Sequence, residues 1–187
     1  NTNFGEESLV PNSITRDAGG FVVASRGFGE FFIVQTGLRY DARRITGSGD
    51  LVVENFREDY GSINYSLGAA LLYESMNIRI NASSGFRAPN TSELLSNGVH
   101  HGTNQYVIGN TALESERANQ LDVGLELLTE HFNWSINSFF NRIENFIYLE
   151  AQDFEVDNFR AFQYAQTGTS MWGGEAGIHY HPHGIHW

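Results

Sequence analysis

The chain has 187 residues, of which 41% are hydrophobic and 13% aromatic, with 20 glycines and a formal net charge of −11. Its 11 basic residues are all arginine, and the absence of cysteine excludes disulfides and thiolate metal sites. The acidic balance argues against a nucleic-acid partner, which needs a basic face, and no run approaches the roughly 20 apolar residues of a membrane helix.

The length suits one domain or a piece of a larger one. A mean hydropathy of −0.31 leaves open both a soluble protein and an outer-membrane barrel, whose strands give only a weak hydropathy signal. An acidic exterior suits cationic solutes or divalent ions, and it serves plain solubility equally well. The first ten residues, NTNFGEESLV, lack the basic, apolar and cleavage regions of a signal peptide. With an equally abrupt end, this gives the expectation of an excised part of a larger protein.

Alternation with period 2 organises the chain. About seven strands are expected, near 18–27, 30–44, 58–73, 77–88, 116–129, 132–149 and 160–180. In the second, Phe32, Val34, Thr36, Leu38 and Tyr40 share one face, with Gln35, Gly37, Arg39 and Asp41 opposite. The third puts Ile63, Tyr65, Leu67, Ala69, Leu71 and Tyr73 against Ser62, Asn64, Ser66, Gly68 and Ala70. The fourth opposes Ile78, Ile80, Ala82 and Phe86 to Asn77, Arg79, Asn81, Ser83 and Gly85. The fifth opposes Leu121, Val123, Leu125 and Leu127 to Gln120, Asp122, Gly124 and Glu126. The sixth carries aromatics on both faces, so its register is open or a bulge intervenes. The last puts Trp172, Ala176, Ile178 and Tyr180 opposite Met171, Glu175, Gly177 and His179.

Connections alternate in length. Short ones are expected at 27–30, 74–77, 130–133 and 181–186, and long ones near 45–57, 88–115 and 150–159. That rhythm describes an antiparallel up-and-down meander, with short periplasmic turns and long outer loops if the strands cross a membrane. Most strands exceed the roughly 9–11 residues such a crossing needs. Tyr40, Tyr73, Trp134, Tyr148, Tyr164, Trp172 and Tyr180 are placed near strand ends, as an interfacial girdle requires, although aromatics also favour strands in general. Within the longest loop, NTSELL (90–95) reads as one helical turn, with Asn90 or Thr91 as N-cap and Glu93 near the positive end.

Two histidine groups stand out. His100 and His101 lie in the long loop, and neutral imidazole is a common ligand for zinc, copper, nickel or iron. Adjacent extended residues point opposite ways, so a loop hydrogen-bond role competes with metal contact. Glu93, Glu114 and Glu116 are possible oxygen ligands. His179, His181, His183 and His186 form a second group, but Pro182 and Gly184 mark a turn there, which favours a solvated role. Arg87 ends a strand before Pro89, and an ion pair with Glu93 or Glu116 is preferred for it over contact with an anionic ligand. No Gly-rich phosphate loop, H-E-x-x-H or G-x-S-x-G motif is present, so no enzyme is indicated.

Four pieces follow in order through the long loop: FRAPN (86–90), Glu93-Leu94, GVHHGT (98–103) and IGN-x-x-L-x-x-E (108–116). On these the chain resembles the TonB-dependent outer-membrane receptors, which import iron chelates, other metals or cobalamin. VPNS (10–13), GLRYD (37–41), NSFFNRIENFIYLE (137–150) and YAQTGTSMWGGEAGIHYHP (164–182) extend the resemblance over most of the chain. Thr111 stands where many relatives have Pro after the Gly-Asn pair.

The resemblance implies an all-β fold, with 1–187 a partial transmembrane β-barrel of about seven strands, lacking the plug domain and too few to close the roughly 22-stranded barrel of such receptors. It implies a place in the outer membrane of a Gram-negative bacterium and import of a metal chelate with energy delivered through TonB. Partners would be the small-molecule chelate, TonB and the plug domain of the intact protein, and outer-membrane lipid. No resident cofactor is implied, since a metal or chelate is cargo. Arg87, Glu93, His100, His101 and Asn110 are the expected ligand-binding loop residues, with His100 and His101 as metal ligands. A passive porin and a soluble extracellular all-β binding or adhesion domain are the alternatives. Two open sheet edges give the expectation that the isolated piece pairs with a second copy through its edge strands, or that its sheet collapses on itself.

Overall fold

A computed structural model describes residues 9–48 and 56–181. The tip of the expected 45–57 loop, and His183, His186 and most of the expected 181–186 turn, lie outside the described residues. The seven expected strands are all present. They are β1 (Asn12–Phe28), β2 (Phe32–Ser48), β3 (Arg57–Tyr73), β4 (Met76–Arg87), β7 (Glu116–Leu128), β8 (Phe132–Val156) and β9 (Phe159–Tyr180). Between β4 and β7 come α1 (Thr91–Leu95), β5 (Asn97–His100) and β6 (Gln105–Ile108).

The long strands pair antiparallel in chain order, β1-β2-β3-β4-β7-β8-β9, and β6-β5 continues the sheet beyond β9. Facing residues share a side, so the register tests the expected faces directly. Leu38 faces Val22 and Tyr65, Ile80 faces Ala69 and Val123, and Leu125 faces Ile78 and Ile136. One apolar surface therefore runs across all seven strands. On the other surface Arg39 faces Asn64, Asn81 faces Asp122, and Asn137 faces Gly124 and Glu175.

The apolar face is exposed: Leu38, Ile63, Leu67 and Ile136 are all open, and Trp172 is 82% accessible. From Phe32 to Tyr40, or Ile63 to Tyr73, this face covers about 20–25 Å at roughly 3.3 Å per residue and a tilt near 40°. Aromatic rings bound it at the end with the short turns. Phe132 sits 4.9 Å from Tyr180 and 6.3 Å from Trp134, and Phe28 sits 5.9 Å from Phe32, all between ring centroids. Tyr40 and Trp172 mark the opposite limit. No helix among the described residues is long and apolar enough to cross a membrane, which leaves crossing by strands untouched.

Two expectations about the long-loop end change. Residues 150–159 do not form a loop: β8 continues through Val156 and turns at Asp157 and Asn158, both at positive φ, directly into β9. Tyr164 belongs to no girdle, because it packs against the buried cluster. The bulge left open in the sixth strand exists. The β8–β9 register shifts between Ile143 and Phe146, with Asn145 at φ 56°, and shifts again between Ala151 and Glu155.

The buried apolar cluster lies at the long-loop end, not in the body of the sheet. Ile45, Leu94, Leu113 and Ile147 form it, flanked by Phe56, Tyr60, Leu95 and Tyr164. Ile45 and Tyr60 lie on the polar face of β2 and β3, so the loop folds onto that face and supplies Leu94 and Leu113 from above. β6 then runs parallel to the upper part of β9, and the sheet remains unclosed between β1 and β5. Removing the fully buried Leu94 side chain should loosen this docking selectively. Leu94→Ala is expected to cost about 2–4 kcal/mol of loop docking. Limited proteolysis within 91–110 should accelerate at least about thirtyfold while the long strands keep their hydrogen-exchange protection.

Candidate functional site

The mouth formed where the loop meets the polar face is the best-defined site on the chain. Its base is ionic. The Arg87 guanidinium donates to both Glu116 oxygens at 2.6 Å, and its Nη1 donates to Glu93 at 2.9 and 3.0 Å. Glu116, buried in this knot, also accepts the Ile147 N–H at 2.7 Å. Burial alone would raise the Glu116 carboxyl, but Arg87 and the Ile147 amide outweigh it and hold the group below its ordinary value.

Glu93 serves twice. Asn90 caps α1: its side chain accepts the Glu93 N–H at 2.9 Å, while the Glu93 carboxylate accepts the Asn90 N–H at 2.8 Å. This reciprocal capping box fixes the single helical turn. The Glu93 carbonyl then accepts the Asn110 N–H at 2.9 Å, and Gly109 N–H reaches Ser96 at 2.6 Å. Chain segments approach so closely here that a Cβ on Gly109 would lie 2.5 Å from the Leu94 carbonyl oxygen. Only glycine fits.

The end of the loop is strapped to the β8 bulge. Gln166 donates to the Glu114 and Asn145 carbonyls at 2.8 Å each and accepts the Glu114 N–H at 2.9 Å. Asn145 donates to the Glu114 carboxylate at 3.1 Å. Asn110 donates to the Tyr164 carbonyl at 3.1 Å and accepts the Ala112 N–H at 2.9 Å. Tyr60 donates its hydroxyl to the Leu113 carbonyl at 3.3 Å, and burial with nearby Glu58 pushes that phenol up to about 12.

Of the expected loop residues, Arg87 and Glu93 turn their charged groups on each other, while Asn110 joins them through its backbone N–H on the Glu93 carbonyl and spends its side chain on Tyr164 and Ala112. His100 and His101 sit apart, at the end of β5 and in the turn after it. The His100 ring lies 3.2 Å from the Thr103 hydroxyl, and its carbonyl accepts the Thr103 N–H at 3.1 Å. Among the described residues, no group of three or more His, Asp or Glu converges as a metal cage. In the second histidine group, His179 and His181 stack at 4.3 Å at the opposite end of the sheet.

Further down the polar face, a cleft of about 560 Å³ is lined by Arg79, Asn81, Asp122, Asn137, Phe139 and Glu175. Arg79 is paired to Glu126 at 2.6 Å, so Asp122 and Glu175 leave the cleft acidic. A second hollow, of about 350 Å³, lies under the loop between Asp17, Arg39, Asp41, Arg43 and Arg87. Sequence reading did not single out this charged wall, although the i, i+2 spacing of Arg39, Asp41 and Arg43 carries it.

The family model described as TonB dependent receptor-like, beta-barrel, matches residues 1–187. Solved structures with the same fold include the Serratia marcescens hemophore receptor HasR, in complex with its hemophore HasA and heme. It is 19% identical with a TM-score of 0.77, over 97% of this chain and 34% of that one. The copper transporter OprC gives 17% identity and a TM-score of 0.77, over 90% of this chain and 26% of that one. The FrpB iron transporter from Neisseria meningitidis gives 18% and 0.67, over 94% and 25%. The chain thus spans about a third or less of the length of these proteins.

The ionic knot makes the loop's hold pH-dependent. Because the folded Glu116 value is lowered, its contribution is complete at neutral pH and is lost as pH falls through that lowered value. The protection factor of the Ile147 amide, the intrinsic exchange rate over the observed one at each pH, should hold steady from pH 7 to about 5 and fall in acid. Glu116→Gln should remove that acid loss and cost about 2–3 kcal/mol at pH 7. At the bulge, Asn145→Gly should keep the backbone unstrained and lose the side-chain strap to Glu114, at about 1 kcal/mol, whereas Asn145→Val should lose the strap and add about 1–3 kcal/mol of strain, read as a lower thermal midpoint.

Proposed function

Because the chain belongs to the TonB-dependent receptor-like β-barrel family, we propose that it forms part of the wall and mouth of an outer-membrane importer for a metal chelate. Receptors of this family are outer-membrane proteins of Gram-negative bacteria, and the neighbours named above carry heme, copper or iron. The observation that carries the reading is the division of the sheet. One face is apolar over a bilayer's height, and the other is charged and covered at one end by an internally braced loop.

In this reading the apolar face meets lipid and the polar face lines the lumen, where the acidic cleft around Asp122 and Glu175 meets the plug domain or passing cargo. The short turns lie on the periplasmic side and the braced loop lies outside. The outer loop near 88–115 and the tall β8–β9 hairpin border the mouth. Cargo is a ferric siderophore or another metal complex, cobalamin included. His100 and His101, held beyond the scaffold, offer imidazole to a metal whose other positions the chelator fills. Energy from the inner membrane, delivered through TonB, releases the cargo inward by rearranging the plug. The Arg87–Glu93–Glu116 knot keeps the loop's base fixed while the exposed β5–β6 turn meets the ligand.

The test is uptake of radiolabelled ferric siderophore, zinc and cobalamin by cells carrying the full-length protein, with and without the inner-membrane proton gradient. Gradient-dependent accumulation of one cargo is expected. Equal, gradient-independent permeation would identify a passive pore instead, and absence from the membrane would restore the soluble binding domain. His100→Ala with His101→Ala should weaken binding of the transported chelate about tenfold at unchanged protein abundance, measured by equilibrium binding to whole cells.

A further inference from the structure

Arginines are concentrated on the apolar face just beyond its aromatic limit. Arg16 faces Arg44 across β1 and β2, and Arg44 faces Asp59 across β2 and β3. Two residues further along β3, Arg57 faces Thr46. All lie on the same side as Leu38 and Tyr40, with Arg44 four positions beyond Tyr40 and so roughly 10 Å above it. Asp59 accepts from Arg44 at 2.5 Å and from Arg57 at 3.1 Å. Arg16 has no ion-pair partner among the described residues. Two guanidinium groups thus share one carboxylate and the third pairs with none among the described residues, on a chain whose overall charge is −11.

The surface there is hollow. A concavity of about 510 Å³ is bounded by Arg16, Tyr40, Ala42, Arg44, Asp59 and Gly61, and the mutually paired Asp17 and Arg43 also line it, which leaves one arginine more than carboxylates in the lining. Ala42 and Gly61 keep its floor low, and the Tyr40 hydroxyl lies 3.3 Å from where a Cβ on Gly61 would stand. The hollow opens at one end onto the apolar face and is cationic at the other. That combination fits an amphiphile whose acyl chain lies on Leu38 and Ile63 and whose head is an anion. Guanidinium forks match phosphate oxygens in geometry and charge.

We propose that Arg16, Arg44 and Arg57 form a binding site for the phosphate of a phosphorylated lipid headgroup in the outer leaflet. The site rests on the bilayer placement of the apolar face given above. The aromatic limit marks the lower edge of the headgroup region; Arg16 and Arg44 stand about 10 Å above it and Arg57 about 15 Å above it, and their long side chains reach down toward that level. Asp59 holds Arg44 and Arg57 in position, so the lipid meets a preformed fork. Arg26, at the other end of the same face, leans its guanidinium over Phe28 at 5.3 Å and lies outside the site.

The experiment uses the full-length protein in phosphatidylcholine nanodiscs with and without a minor fraction of phosphatidic acid, followed by native mass spectrometry of the lipid it retains. Retention of phosphatidic acid over phosphatidylcholine is expected. Arg16→Gln, Arg44→Gln and Arg57→Gln combined should weaken it about tenfold, and Arg26→Gln should leave it unchanged. Equal retention by the triple variant, or equal loss in Arg26→Gln, would overturn the site. So would full displacement of the lipid by inorganic phosphate, which would assign the arginines to a free anion. A protein that does not enter nanodiscs would overturn the barrel placement itself, whereas one that enters without lipid preference would overturn only this site. If the triple variant fails to fold, Arg16→Gln alone decides, because that side chain braces nothing described; about threefold weaker retention is expected, and none would refute the site.

Discussion

Register is the constraint on which everything else rests. A strand presents its side chains alternately, so a slip of one residue in any pair would turn the apolar face of β2 to β9 inside out. Leu38, Tyr65, Ile80, Val123, Ile136 and Ile178 stay aligned across the sheet only because each tight turn keeps its neighbours in phase. Gly29 and Glu74, both at positive φ, sit in two of those turns. The bulge at Asn145 is a controlled exception. It adds one residue to β8, bends the strand and delivers Ile147 into the buried cluster with its amide on Glu116.

The energetic layout follows from that geometry. Through its middle the sheet has two exposed faces and almost no buried apolar contact, so backbone hydrogen bonds and its surroundings must hold it. Packing of the globular kind appears only at the mouth, around Ile45, Leu94, Leu113 and Ile147. There the loop brings its own core, its own cap at Asn90, and an arginine neutralised by two carboxylates. Replacing any one of these would leave a buried partner unsatisfied, which is why the loop behaves as one unit.

The seven long strands and the helical turn were legible because their determinants are local. Alternation fixes the faces, and Asn90 with Glu93 three residues on fixes the cap. The rest depends on distant partners. β5 and β6 are only four residues each and exist because β9 offers β6 an edge some fifty residues away in sequence, a pairing no local pattern records. Residues 150–156 look like a loop because their polar side chains match a strand exposed on both sides as well as they match a turn. Tyr164 reads as a girdle residue until the loop is seen to cover it. Arg87 pairs as preferred, but with both glutamates at once, and Asn110 is spent on backbone groups of β9 and its own turn. Which atoms remain for a ligand is thus a property of the folded loop.

The pairing of β6 with β9 also imposes an order in time. The loop leaves the sheet after β4, yet three of its anchors lie on β9: Arg160–Gln163 through β6, Tyr164 through Asn110, and Gln166 through Glu114. None of these is in place until the last long hairpin has formed beside β7. During assembly the strands can therefore pair one after another while the β6 side of the loop stays without its partners, even though Leu94 and Leu113 already have Ile45 and Tyr60 to pack on. The mouth is the final part of this segment to close, and an assembly halted before β9 would carry the complete loop sequence without its shape.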